Sequence, residues 1–186
     1  MEQVTNQLPH SLSSLIEEVD RCFSDNETVA ELFQNCFLNT YQTTLKEMED
    51  GTTFVVTGDI PAMWLRDSAS QVRPYLMVAS KDEEIAKMIK GVITRQFQYI
   101  LIDPYANAFN ETANGNGHQD DETDMSPIVW ERKYEVDSLC YPIQLAYLYW
   151  KETNDDSIFD QTFFSVIRSI LKTWKVEQRH DEHSNY

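Results

Sequence analysis

Apolar residues recur at a spacing near 3.6 along most of this chain, and this period constrains the fold more than any other feature. Each such segment carries the apolar stripe of an amphipathic helix. The segments are, in chain order, Leu12–Phe23, Val29–Met48, Ser68–Ser80, Ile85–Ile100, Val136–Trp150 and Phe159–Trp174. The sequence therefore predicts an all-α protein with six main helices.

Local signals refine three of these segments. Ser24 and Glu27 have the spacing of a capping box at the start of the second helix. Pro74 falls inside the third helix, so a kink or a late start is expected there. The β-branched run Thr52–Thr57 predicts a short strand before the third helix.

The connections between the helices alternate between short and long. Helices one and two, three and four, and five and six are each joined by a few residues, which favours three antiparallel hairpins. The other two connections have about 18 and about 32 residues, well beyond the usual helix–helix link. Long ordered loops usually carry function, so we expect a ring of hairpins with a ligand site where these loops gather. A plain bundle with two flexible insertions is the alternative.

Charge and cysteine content restrict the partners and the compartment. With 15 Lys+Arg against 31 Asp+Glu, the formal net charge is −16, which disfavours nucleic acid and anionic membranes and suits a neutral ligand. Cys22, Cys36 and Cys140 lie on apolar helical stripes without a CxxC pair, so buried reduced thiols are predicted. Because neither a secretory signal nor a membrane-spanning run is recognised, a cytoplasmic location is expected.

The first long connection brings together Trp64, Arg66 and Asp67 directly before a helix. An indole ring can pack on the C–H face of a pyranose while Arg and Asp form hydrogen bonds with adjacent hydroxyls. The three residues therefore favour a sugar site. In the alternative interpretation, Asp67 caps the helix and Arg66 only pairs with a nearby acid.

The second long connection contains the segments Asp103–Asn110 (DPYANAFN) and Asn114–Asp124 (NGNGHQDDETD). The acidic segment fails as a calcium loop, because placing Gly117 at the sixth position puts threonines at the first and twelfth. His118 has no partner at zinc-ligand spacing, so we expect a solvated loop and no metal or other cofactor.

The segment Trp130–Pro142 (WERKYEVDSLCYP) concentrates charges at the start of the fifth helix. Asp137 lies three residues before Cys140, which is expected to point inward, so Asp137 should lie near the buried side and need a partner. An ion pair with Arg132 or Arg66 is one interpretation, and a site for a polyhydroxylated ligand is the other.

Three motifs in this order give the chain a specific resemblance to a known family. They are Thr57–Tyr75 (TGDIPAMWLRDSASQVRPY), Asp103–Asn110 and Glu131–Lys151 (ERKYEVDSLCYPIQLAYLYWK). Together they resemble the N-terminal signatures of glycoside hydrolase family 125, and the similarity runs from about Phe33 to Gln178.

This resemblance implies an (α/α)6 toroid of helical hairpins, of which the chain would hold about three, with its long loops at the ligand end. It implies a metal-independent exo-α-1,6-mannosidase that inverts the anomeric carbon, acts on mannose-containing oligosaccharides and serves carbohydrate metabolism. Six residues match the sugar-holding positions: Trp64, Arg66, Asp67, Asn107, Arg132 and Asp137.

Family members are longer than this chain, and the general acid and base are not among its matched residues. The resemblance therefore implies that residues 1–186 are the N-terminal part of one catalytic domain, a truncated and inactive fragment with no catalytic residue of its own. Such a piece could self-associate through exposed helical flanks. The alternatives are a non-catalytic carbohydrate-binding module, a helical interaction protein and another (α/α)6 glycosidase.

Overall fold

The structure, a computed structural model, describes residues 8–118 and 123–186. Within these residues every predicted helical segment is found. The α-helices are α1 His10–Cys22, α2 Glu27–Thr43, α3 Leu65–Val72, α4 Leu76–Ala79, α5 Glu83–Ile102, α6 Val136–Thr153, α7 Gln161–Glu177 and α8 His180–His183.

The third predicted helix is divided at Pro74, as its sequence indicates. The helix α3 begins three residues earlier than expected, and a 3-10 turn at Arg73–Tyr75 separates it from α4. Proline cannot donate to the carbonyl one turn earlier and its ring crowds that carbonyl, so the chain tightens there into 3-10 geometry.

The start and the end of the second helix differ from the prediction. No capping box forms, because the residue before α2 is Asn26, whose side chain makes no capping hydrogen bond. The helix ends at Thr43, and Leu45 belongs to strand β1, Leu45–Glu47, while Met48 follows that strand. This strand pairs antiparallel with β2, Thr53–Val55, which is the strand expected from the β-branched run.

Both long connections contribute to one three-stranded antiparallel sheet. Its strands are β3 Met63–Trp64, β4 Ala108–Phe109 and β5 Val129–Glu131, in the order β3-β4-β5. Since β3 leads directly into α3, and β5 lies shortly before α6, the sheet brings the first turns of these two helices together. In residues 8–118 and 123–186 the connections thus form strands, and this part of the chain is no plain bundle with flexible insertions.

The helix α5 lies at the centre of the core and packs on α3, α4, α6, α7 and β2. Its side chains Ile85, Ile89 and Ile100 are fully buried. Where β2 crosses the helix, a Cβ on Gly91 would come within 2.5 Å of the Thr53 Oγ1 and 2.9 Å of the Thr53 backbone N. Only glycine allows this close approach, which fixes the first long connection against the core.

The sequence expectation of buried cysteines is wrong. Cys22, Cys36 and Cys140 are free thiols, but all three are exposed. Several large apolar side chains on the helices are exposed as well, among them Leu32, Met77 and Leu171. Among the described helices none is both long and apolar enough to cross a bilayer.

Candidate functional site

An ion pair joins the first turns of α3 and α6. The Arg66 Nη1 donates to the Asp137 Oδ2 at 2.8 Å, across 71 residues of sequence. This settles the partner of Asp137, which is Arg66 rather than Arg132. The side chains of Arg66 and Asp137 are 40% and 46% exposed, so the expected burial of Asp137 behind an inward-pointing Cys140 is wrong.

The ion pair favours the charged form of both groups. The hydrogen bond from Arg66 lowers the pKa of Asp137 below its ordinary value of 3.8. The same bond raises the pKa of the Arg66 guanidinium. Both groups therefore stay charged at neutral pH, and a carboxylate with a lowered pKa is suited to accept hydrogen bonds rather than to act as an acid.

Asp67 lies beside this pair with a freer carboxylate. The Arg66 Nε is 3.7 Å from the Asp67 Oδ2, beyond hydrogen-bond distance, and the Asp67 side chain is 47% exposed. The helix begins at Leu65 with Trp64 before it, so Asp67 is not the helix cap that one interpretation proposed. Its oxygens remain available to a ligand.

Trp64 is held at the end of β3 in a half-buried position. Its backbone N–H donates to the Thr57 Oγ1 at 3.2 Å, and its carbonyl accepts from the Ser68 hydroxyl at 2.6 Å. The register of the sheet pairs Trp64 with Ala108, the residue after Asn107. These contacts fix the backbone of Trp64, two residues before Arg66.

Asn107, in the second long connection, forms hydrogen bonds with both α3 and strand β5. It is almost fully buried, its carbonyl accepts from the Leu65 N–H at 3.0 Å, and its Nδ2 donates to the Glu131 Oε2 at 2.6 Å. Its Oδ1 is buried without a hydrogen-bond partner among the described residues. A buried acceptor without a hydrogen bond costs free energy, so this oxygen is suited to accept from a ligand or from water.

Arg132 lies in a second group of side chains, apart from Arg66 and Asp137. The sequence did not predict this second group. Its Nε donates to the Asp103 Oδ2 at 2.7 Å and its Nη1 to the Thr123 hydroxyl. Its guanidinium carbon is 5.3 Å from the centre of the Tyr105 ring and 5.1 Å from that of Tyr186. Arg132 is thus occupied by protein partners and forms no hydrogen bond or ion pair with Arg66 or Asp137.

An open cleft of about 1020 Å³ runs along this second group. Glu131 and Arg132 line it together with Lys133, His118, Asp124 and Tyr186. Because Glu131 also accepts the hydrogen bond from Asn107, it connects the cleft to the cluster at the start of α3. The lining carries both signs of charge, negative from Glu131 and Asp124 and positive from Arg132 and Lys133.

The acidic segment Asn114–Asp124 lies partly outside the described residues, because 119–122 are not described. Its described start is exposed but attached to the sheet, since the backbone N–H of His118 donates to the Trp130 carbonyl at 2.9 Å. Among residues 8–118 and 123–186 no three His, Cys, Asp or Glu side chains form a group that could hold a metal ion.

The sequence did not identify two residues that organise these groups. Asp103 follows the end of α5 and pairs with Arg132, and nothing in their spacing relates them. Gln96, in the middle of a core helix, contacts the first turn of α3 through its side chain. Its polar character inside an otherwise apolar stripe was the available signal.

Comparison with known proteins identifies the family. A family model described as metal-independent α-mannosidase (GH125) matches residues 26–186. The meiotically up-regulated gene 157 protein of Schizosaccharomyces pombe is 38% identical over 174 residues, which are 87% of this chain and 34% of that protein.

A solved structure is similar over nearly the whole chain. It is a Streptococcus pneumoniae metal-independent α-mannosidase in a non-productive substrate complex with α-1,6-mannobiose. The TM-score is 0.92 at 48% identity, and the match covers 95% of this chain and 41% of that one. The helices described above therefore have the (α/α)6 type of fold that the motifs predicted. The chain spans 34% and 41% of the lengths of these two proteins and belongs to glycoside hydrolase family 125.

Proposed function

We propose that this chain provides the sugar-holding part of an α-mannosidase that removes non-reducing-end α-1,6-linked mannose with inversion. The observation that carries the proposal is the Arg66–Asp137 ion pair, with the Asp67 carboxylate close to it and Trp64 two residues before Arg66. Two half-exposed carboxylates around one guanidinium offer several acceptors and a donor fork to adjacent hydroxyls. The relative of known structure was solved with α-1,6-mannobiose, which supports this substrate class.

The carboxylates in this cluster are suited to holding the sugar rather than to breaking the bond. Inverting hydrolysis needs a carboxylic acid with a raised pKa and a carboxylate base about 6.5–9.5 Å away, with a water between base and sugar. Asp137 has a lowered pKa and is hydrogen-bonded to Arg66, so it is a poor general acid. We therefore propose that the acid and the base are carried by a part of the family's domain that residues 1–186 do not include.

On this proposal, residues 1–186 are part of a single (α/α)6 catalytic domain and lack hydrolytic activity by themselves. Arg132 and Asn107 then act at the edges of the sugar site, Arg132 along the cleft and Asn107 through its unpartnered Oδ1. The three free thiols fit a cytoplasmic protein of carbohydrate metabolism, because such thiols persist in reducing compartments.

Calorimetric titration of the purified chain with α-1,6-mannobiose, together with a hydrolysis assay, tests the proposal. We expect saturable binding without turnover, and a loss of about tenfold or more in affinity for Arg66→Ala, because a charged hydrogen-bonding group is removed. Arg73→Ala removes an exposed arginine just after α3 and serves as the matched control that should bind normally.

Two results would contradict the proposal. A folded chain that shows no saturable binding does not hold the sugar here. Turnover by the wild-type chain that Asp67→Asn or Asp137→Asn abolishes would place catalytic carboxylates in this cluster.

A further inference from the structure

The first turn of α3 carries Arg66 and Asp67 but has no side-chain cap. The residue before the helix is Trp64, and its side chain accepts no hydrogen bond from the helix N-terminus. Uncapped helix ends fray, since their first N–H groups have no partner within the helix. The Leu65 N–H donates to the Asn107 carbonyl at 3.0 Å. Further contacts from outside the helix would fix this turn, and with it the two charged side chains, more firmly.

Gln96 provides a second contact from outside the helix, on the carbonyl side of this turn. It lies on α5, its exposed fraction is 0%, and its Nε2 donates to the Leu65 carbonyl at 3.0 Å and to the Ser68 hydroxyl at 2.9 Å. The Ser68 hydroxyl is also fully buried and donates to the Trp64 carbonyl at 2.6 Å. One amide group thus holds the residues on either side of Arg66 and Asp67.

We propose that Gln96 is a positioning residue of the sugar site, which acts by fixing the first turn of α3 and through it Arg66 and Asp67. The identity of the ligand in this inference rests on the proposed function. The role of Gln96 in ordering the turn does not depend on that function. Gln96 touches no sugar on this proposal. Its two donors hold the backbone that presents the charged side chains, as supporting groups do in preorganised sites.

The chemistry of the position favours an amide. A buried leucine of similar size would leave the Ser68 hydroxyl without a donor and release the Leu65 carbonyl from α5. A buried carboxylate could not donate to the Leu65 carbonyl unless it were protonated. Gln98 lies on the same helix, and its side chain makes no hydrogen bond within residues 8–118 and 123–186, so Gln98→Leu is the matched control.

Amide hydrogen exchange of wild type, Gln96→Leu and Gln98→Leu tests the positioning directly. The Ser68 and Ala69 amides make the first bonds inside α3, and we expect them to exchange about tenfold faster in Gln96→Leu. Amides of α7 and all amides of Gln98→Leu should keep wild-type rates. Uniformly faster exchange, or unchanged exchange in α3, would overturn the proposal.

Affinity for α-1,6-mannobiose gives the second readout. We expect Gln96→Leu to weaken binding about tenfold, with little further effect in an Arg66→Ala background, because both changes act on the same contact. Faster α3 exchange with unchanged affinity overturns the positioning role. If the wild-type chain binds no sugar, the proposed function fails while the exchange result still decides whether Gln96 orders the turn.

Two further variants keep the test decisive. If Gln96→Leu does not fold, Ser68→Ala replaces it in the test. Ser68→Ala removes one of the two acceptors of Gln96, so it should also speed amide exchange in α3 and weaken sugar binding. Gln96→Glu should bind weakly at about pH 8 and recover part of its affinity at about pH 5, because a buried glutamate has a raised pKa and donates once protonated. Wild-type affinity should not change in this way, and a pH-independent Gln96→Glu would contradict the need for a donor.

Discussion

Arg66 faces two carboxylates at different distances, and this difference assigns them different tasks. Asp137 accepts its hydrogen bond at 2.8 Å, whereas the Asp67 oxygen remains 3.7 Å away. Asp137 therefore orients the guanidinium and joins α6 to α3, while the Asp67 carboxylate makes no hydrogen bond to Arg66. The consecutive positions of Arg66 and Asp67 made their proximity predictable, but the partner from α6 could come only from the tertiary fold.

The Arg66–Asp137 pair predicts a small, pH-dependent effect on stability. Because the folded-state pKa of Asp137 is lowered, its contribution is present above the ordinary value of 3.8 and is lost as the pH falls through the folded-state value. At pH 7 we expect Asp137→Asn to lower the free energy of unfolding by less than about 1 kcal/mol, since both side chains are partly solvated. Urea denaturation at a series of pH values measures this difference.

Asp67→Asn is the control for that experiment. It removes a carboxylate of similar exposure that makes no hydrogen bond to Arg66, so its effect on stability should be smaller. A difference between wild type and Asp137→Asn that persists undiminished well below pH 3.8 would show that the ion pair is not its source.

The ends of the elements show which sequence signals were sufficient. Pro74 predicted the break between α3 and α4 because its effect is local and steric. The spacing of Ser24 and Glu27 did not produce a capping box, because the helix starts at Glu27 itself. Leu45 of β1 continues the helical period of α2, and only the pairing of β1 with β2 assigns it to a strand. The sheet of β3, β4 and β5 could not be predicted either, since its strands are too short to show a period in the sequence.

A comparison of two helix starts tests the account of capping. The Asp160 carboxylate accepts from the Phe163 N–H at 2.9 Å at the start of α7, whereas Asn26 makes no such bond at the start of α2. Asp160→Ala should therefore lower the free energy of unfolding by about 1 kcal/mol, and Asn26→Ala by much less. Thermal and urea denaturation of both variants measure the difference.

Asp160→Ser provides the rescue in this comparison. Serine retains an oxygen that can accept from the third residue of the helix, so most of the stability should return. Equal losses in Asp160→Ala and Asn26→Ala would indicate that the side-chain bond at the start of α7 adds nothing to stability.

At the scale of the whole molecule, strong negative charge coexists with exposed apolar helix faces. The formal net charge is −16, while the side chains of Leu32 on α2 and Leu171 on α7 are 62% and 56% exposed. Like charges keep copies of the chain apart, whereas apolar faces favour contact. The motifs predicted the (α/α)6 fold, but which faces are exposed depended on packing that the helical period alone does not determine.

These opposing effects predict that salt promotes self-association. At about 10 mM ionic strength the Debye length is about 30 Å, so repulsion should keep the chain monomeric. At about 1 M salt the Debye length falls to about 3 Å, and apolar contact through the exposed faces should raise the average mass. Light scattering coupled to size-exclusion chromatography measures this change.

Leu32→Lys and Glu31→Gln separate the apolar contribution from the electrostatic one. Each makes the net charge one unit less negative at neighbouring exposed positions of α2, but only the first removes an apolar side chain. If apolar contact drives association, Leu32→Lys remains monomeric at high salt and Glu31→Gln associates as wild type does. If instead the wild-type mass falls as salt is added, ion pairs between copies hold the assembly and the exposed leucines do not.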